Sequence, residues 1–196
     1  VFYIGIDSCV PDMEIESRTS RIPLIREAYD DAVLGEKIKE KLSFIMHRNY
    51  GDFINYWNER KSYKGLTYGA VQYPSLYMGA GEQRIIKFLE TIYSIPDYSL
   101  ILIDELDLTL HTEALLRLMQ VLNDECNTRN IQIVFTSHRE ELLDCNFINI
   151  RHLVNDTNGK TSICLERTTP DCIKRLTGIC PKPVSYTHLT LPTKRI

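Results

Sequence analysis

Two short stretches of this chain carry residue types suited to phosphate chemistry. Leu100-Ile101-Leu102-Ile103 runs directly into Asp104-Glu105, and Ile133-Val134-Phe135-Thr136-Ser137 runs into His138. An Asp at the end of an apolar strand can hold Mg2+ through oxygen ligands, while the next carboxylate can orient or deprotonate a water for attack on a γ-phosphate. An imidazole at the same edge can donate a hydrogen bond to a phosphate oxygen. A third stretch, Met78-Gly79-Ala80-Gly81-Glu82-Gln83-Arg84, is a small-residue loop that opens into a helical pattern. Free backbone N–H groups and the positive end of such a helix suit an anion. Each stretch also has a plainer reading. Asp104-Glu105 can be a solvated pair closing a core strand, His138 a polar cap, and the glycines a tight turn that requires positive φ. Gln83 and Arg84 read either as a relay or as an exposed helical face.

The elements that must position these residues alternate between strand and helix patterns. Residues 1–7 read as a strand, and Arg21 to Val33 as a short helix with Pro23 in its first turn. Gly35 to Lys61 places Ile38, Leu42, Ile45, Phe53 and Trp57 among charges, with Asn49-Tyr50-Gly51 as a break; the reading is a helical insertion or lid of two helices over residues 35–61. Tyr68 to Tyr77 is aromatic and β-prone, and a helix over about Glu82 to Tyr93 shares Ile85, Leu89 and Ile92 on one face. The Leu100 strand follows, buried on both faces, with charge emerging only at its carboxyl end. A second amphipathic helix, Thr112 to Asn127, with Leu115, Met119, Leu122 and Cys126, leads to the Ile131 strand, which makes the pair a βαβ crossover. Arg139 to Leu143 reads as a short helix. Phe147 to Val154 and Thr161 to Arg167 read as a hairpin around Asn155-Asp156-Thr157-Asn158-Gly159. The expected fold is α/β, a mostly parallel sheet with flanking helices, the helical insertion and a terminal β-hairpin.

Composition narrows the class. The chain has 196 residues, 43% of them hydrophobic, which is enough for one good core. A net charge of -3 argues against a basic nucleic-acid surface over the whole chain, so DNA stays a partner only through a local patch. Cys9, Cys126, Cys145, Cys164, Cys172 and Cys180 form no C-x-x-C pair, which disfavours a zinc site or a secreted disulfide scaffold and fits a reducing cytoplasm. No apolar run approaches the roughly 20 residues of a membrane helix. Val1 to Asp7 has the pattern of a strand already inside a sheet, and the expectation is a fragment. Residues 181–196 read as non-native read-through, leaving 1–180 as one domain.

Taken in order, these motifs resemble the C-terminal half of an ATP-binding-cassette-type ATPase head with a P-loop NTPase fold. Within that superfamily the likeness is to the RecF, SMC and OLD-like AAA group and to ATPases of phage-defence systems. The resemblance covers about residues 64–154. It makes Met78 to Glu82 the signature motif, Leu100 to Glu105 the Walker B strand, Leu110-His111 part of the D-loop and His138 the switch histidine. The roles it implies are Mg2+ support at Asp104, water activation at Glu105 and a γ-phosphate contact at His138. Gly79, Ala80, Gly81, Glu82 and His111 would serve ATP held by the opposite protomer of a homodimer. Closure over ATP and reopening after hydrolysis would then drive a DNA or effector-protein partner, in DNA repair or phage defence.

Three departures stand out. The signature position usually held by Ser is Gly79, and the residue after Asp-Glu, commonly Pro, is Leu106, a change expected to affect turn stiffness more than chemistry. The sequence contains no G-x-x-x-x-G-K-[ST]. Gly159-Lys160-Thr161 imitates its end, but Val154 stands at the required glycine, so the P-loop is expected upstream of Val1 and the fragment alone is expected to be inactive. Two rivals remain: a non-hydrolysing nucleotide-sensing or scaffold module, and a metal-dependent nuclease-like site on Asp104, Glu105 and Asp107.

Overall fold

In chain order the elements are β1 (Phe2–Ile4), β2 (Ile25–Ala28), α1 (Ala32–Met46), β3 (Tyr50–Trp57), β4 (Ser62–Tyr68), β5 (Val71–Pro74), α2 (Ala80–Ser94), β6 (Leu100–Ile103), α3 (Thr112–Arg129), β7 (Gln132–Ser137), β8 (Asn149–Asn155), β9 (Thr161–Ile163) and β10 (Tyr186–Thr190). Short 3-10 turns occupy Ser75–Tyr77 and Glu140–Asp144. The computed structural model describes residues 1–5, 11–12, 25–28, 31–57, 62–155, 161–163 and 186–190. Cys9, Cys164, Cys172, Cys180, residues 6–7 of the first strand and the turn at 156–160 lie outside them. The chain divides into two compact units, the first made of Val1–Gly5, Asp97–Leu108 and Leu122–Ile196, the second of Ile6–Pro96 and Thr109–Val121.

The first unit holds a six-stranded sheet in the order β1-β6-β7-β10-β8-β9. Its centre is parallel: Phe2, Tyr3 and Ile4 pair with Ile101, Leu102 and Ile103, which pair in turn with Ile133, Val134 and Phe135. The β6-α3-β7 crossover therefore has the expected parallel sense, which sends both strands to a common carboxyl edge. One face is fully packed, with Ile101, Ile103, Ile133, Phe135 and Ser137 at 3% exposure or less. The other is only partly covered, for Leu102, Val134 and Thr136 keep intermediate exposure. The expectation of burial on both faces thus holds for one. The hairpin β8-β9 is antiparallel as expected. Tyr186–Thr190, read from sequence as non-native tail, forms β10 antiparallel to both β7 and β8, as its alternating β-prone residues allow.

The second unit corrects the reading of residues 21–61. Ile25–Ala28 is a strand, paired antiparallel with β3, where a helix over Arg21 to Val33 was expected. Only the first half of the 35–61 insertion is helical, because α1 ends at Met46 and Tyr50–Trp57 is a strand. These strands join β4 and β5 in an antiparallel sheet of order β2-β3-β4-β5. The residues explain the outcome: β3 is rich in aromatics and Ile, which favour a half-buried pleated surface. A register shift between Tyr50 and Phe53 breaks the alternation that would have announced a strand. The α1 helix starts on the Asp31 side chain, which accepts from the Leu34 N–H at 2.9 Å. It stops where His47 takes φ 53°, its N–H donating to Phe44 O while the Arg48 N–H donates to Ser43 O.

Candidate active site

The first unit's carboxyl edge is held together by Thr136. Its hydroxyl donates to Asp104 Oδ1 at 2.7 Å and accepts from the Glu105 N–H at 2.8 Å. Its carbonyl accepts from the Leu106 N–H at 3.0 Å, and the Asp104 N–H donates to Ile4 O at 2.9 Å. Glu105 sits at φ 49°, a left-handed conformation that costs an L-residue about 1 kcal/mol and is concentrated at functional sites. That turn directs Leu106 into the core at 0% exposure. A Pro at position 106 could not donate to Thr136 O.

His138 lies just beyond β7, with Nε2 3.8 Å from Glu105 Oε1. Their side chains are 46% and 30% exposed, so both are reachable by a ligand. Ser137 is fully buried, and its Oγ accepts from the Arg139 N–H at 3.1 Å. An open pocket of about 300 Å³ borders Asp104 and Thr136 and is otherwise lined by Tyr3, Leu102, Ile103, Val134 and Phe135. Asp107 behaves differently from its acidic neighbours: it pairs with Arg139 at 3.9 Å, and its buried Oδ1 has no hydrogen-bond partner among the described residues. Among the described residues no three His, Cys, Asp or Glu side chains converge as a metal-ligand group. The nuclease-like arrangement of Asp104, Glu105 and Asp107 therefore has no geometric support.

The glycine loop belongs to the second unit. Gly79 flanks the first turn of α2 at φ -63°, is exposed, and has nothing within 4 Å of where a Cβ would stand. The plainer reading, a glycine required for positive φ, fails here; among the described glycines only Gly69, in the two-residue β4-β5 turn, has positive φ. Gly81 has a steric reason, since a Cβ would meet Thr109 O at 3.0 Å. That contact sets the segment preceding His111 beside the loop. His111 is exposed, and its carbonyl accepts from the Leu115 N–H as α3 begins.

Glu82 is 5% exposed and turned inward. Its Oε2 accepts from the Gly79 N–H at 3.2 Å, the reciprocal half of a capping box. Its Oε1 accepts from Arg48 Nη1 at 2.9 Å and from the Tyr50 hydroxyl. Burial, reinforced by Glu82, pushes the Tyr50 phenol well above the usual tyrosine range. Tyr73 is pushed up to about 12, first by burial and then by Glu82, with Arg48 opposing. The Glu82 carboxylate thus acts on the geometry of the segment at Gly79. Gln83 and Arg84, read from sequence as a relay or an exposed face, are buried at 4% and 0% exposure. Gln83 Nε2 donates to Ser75 O and Met78 O, and its Oε1 accepts from the Asp12 N–H. Arg84 lies over the Phe88 ring at 5.1 Å.

Asp104, Glu105 and His138 meet at one edge, and Gly79 to Glu82, read from sequence as a loop, are the N-cap and first turn of α2, with Leu110 packed close by. Sequence reasoning missed Thr136, the buried hydrogen bonds of Gln83 and the placement of Arg48 and Tyr50 on Glu82. The only signal for Thr136 was its place two residues before His138. The family model described as "AAA domain, putative AbiEii toxin, Type IV TA system" matches residues 5–144, well over half of the chain. No curated protein matches it.

Proposed function

The chain belongs to this AAA-domain family of nucleotide-binding ATPases, and on that premise we propose that it is the hydrolytic portion of a dimerising, ATP-binding-cassette-type head related to the RecF, SMC and OLD ATPases. The observation that carries the proposal is the parallel β6-β7 pair, which brings Asp104, Glu105 and His138 to one carboxyl edge with Glu105 and His138 3.8 Å apart. The residues fit the expected ligands: an oriented Asp for Mg2+, an accessible carboxylate and imidazole, and an open glycine loop for phosphate.

Asp104 would hold Mg2+, which when bound would supply positive charge against the phosphate oxygens. Glu105 orients the attacking water and accepts its proton as the bond from water oxygen to the γ-phosphorus forms and the bond from the γ-phosphorus to the bridging oxygen breaks, with ADP leaving. His138 donates a hydrogen bond to the γ-phosphate. Gly79, without a side chain, lets phosphate approach the backbone of Ala80 and Gly81, and Glu82 clamps the loop from behind. This loop, with His111 at its flank, serves ATP held by the opposite protomer. Closure of two heads over ATP, and reopening after hydrolysis, transmits the nucleotide state to a DNA or effector-protein partner. Phage defence and DNA repair both suit such a device, and the toxin–antitoxin association in the family's description favours defence.

The test is ATP-dependent association of the full-length protein carrying Glu105→Gln, followed by sedimentation. The expected result is a monomer that becomes a dimer with ATP and Mg2+, and that stays monomeric when Gly79→Trp is added. Association that ignores both ATP and Gly79→Trp would contradict the composite site.

A further inference from the structure

We propose that Thr136 is a positioning residue for hydrolysis, one hydroxyl that sets the Asp104 carboxylate and the Glu105 backbone together; this rests on the ATPase reading above. A threonine hydroxyl has one proton and two lone pairs. The Glu105 N–H takes one lone pair at 2.8 Å, which turns the proton toward Asp104 Oδ1 at 2.7 Å. The same hydrogen atom therefore fixes the rotamer of the Mg2+-supporting carboxylate. The same oxygen holds the residue that carries the water-activating carboxylate.

The backbone makes this arrangement consequential. Glu105 stands at φ 49°, a conformation that its own side chain disfavours. Three of the hydrogen bonds among the described residues that hold the turn are Glu105 N–H to Thr136 Oγ1, Leu106 N–H to Thr136 O, and Leu108 N–H to Glu105 O at 3.0 Å. Two of the three end on Thr136. The pairing follows from register, because Ile103 sits opposite Phe135 and the next residues, Asp104 and Thr136, lie side by side where the ladder ends. Thr136 keeps intermediate exposure on the side of the sheet that borders the Asp104 pocket. Its place is thus at the reacting edge, and its effect passes through Asp104 and Glu105.

Partners that orient metal-binding carboxylates are typically worth about 10- to 100-fold in metal affinity or activity. The experiment compares Thr136→Val, Thr136→Ala and Thr136→Ser with Glu105→Gln in the full-length protein, reading turnover, the Mg2+ concentration for half-maximal turnover, and thermal midpoint. Thr136→Val, nearly the same shape without the hydroxyl, is expected to lose at least about tenfold in turnover and to need several-fold more Mg2+, within that range. Thr136→Ala gives the same loss without any packing change from an added methyl, so a folding defect in one valine variant does not decide the matter. Thr136→Ser, which restores the hydroxyl, returns both readouts to within about threefold of the parent protein, a recovery that a purely structural role in strand packing would not produce. Wild-type turnover and Mg2+ dependence in Thr136→Val or Thr136→Ala, with Glu105→Gln inactive, would overturn the role of Thr136 while leaving the ATPase reading intact. Full turnover in Glu105→Gln would overturn both.

Discussion

At the scale of single residues, the strained turn at Glu105 links function to stability. A Glu at φ 49° is disfavoured where a glycine would be at ease. Glu105→Gly is therefore expected to raise unfolding free energy by about 1 kcal/mol while abolishing turnover. Denaturant unfolding checks the first, and an unchanged or lowered midpoint would mean that the turn is not strained. The placement of Asp104, Glu105 and His138 at strand ends was legible in the sequence because each follows an apolar run, and apolar runs ending in charge mark strand ends. Thr136 was not legible. Its role depends on which residue lies across from Asp104, and register is a property of two strands. The glycine segment was half legible: its place at the start of a helix was foreseen, but the inward turn of the Glu82 carboxylate depends on Arg48 and Tyr50, which come from a distant part of the chain.

At the scale of elements, the βαβ crossover was read nearly to its ends, since β6 and α3 each carry an unbroken periodic pattern. Residues 50–57 were misread as helix for a physical reason. Phe53 and Trp57 stand four apart, as on a helix, and the irregularity between Tyr50 and Phe53 hides the strand's alternation. The true end of α1 was marked only weakly, for His47 occupies the left-handed cap position that glycine usually fills. His47→Gly is expected to stabilise the fold by about 1 kcal/mol, because glycine adopts that conformation without steric cost. Thermal unfolding reads the effect, and a lower midpoint would show that the imidazole makes a contact that outweighs the backbone gain. Since Arg48 follows directly and binds Glu82, this cap also sets where the clamp behind Gly79 begins.

At the scale of the molecule, the α/β class and the ATPase family were accessible because four motifs occur in a fixed order, and order survives even where individual residues depart. The antiparallel sheet β2-β3-β4-β5 was not accessible, since no motif marks it and its strands are short or irregular. Among the described residues no helix is long and apolar enough to cross a membrane. The central claim is that Glu105 activates water for ATP hydrolysis at the β6-β7 edge. The most direct test is ATP binding and steady-state hydrolysis by the full-length protein before and after Glu105→Gln. The account predicts near-normal ATP affinity with turnover reduced by at least about a hundredfold, the scale on which general-base catalysis operates; retained turnover would contradict it.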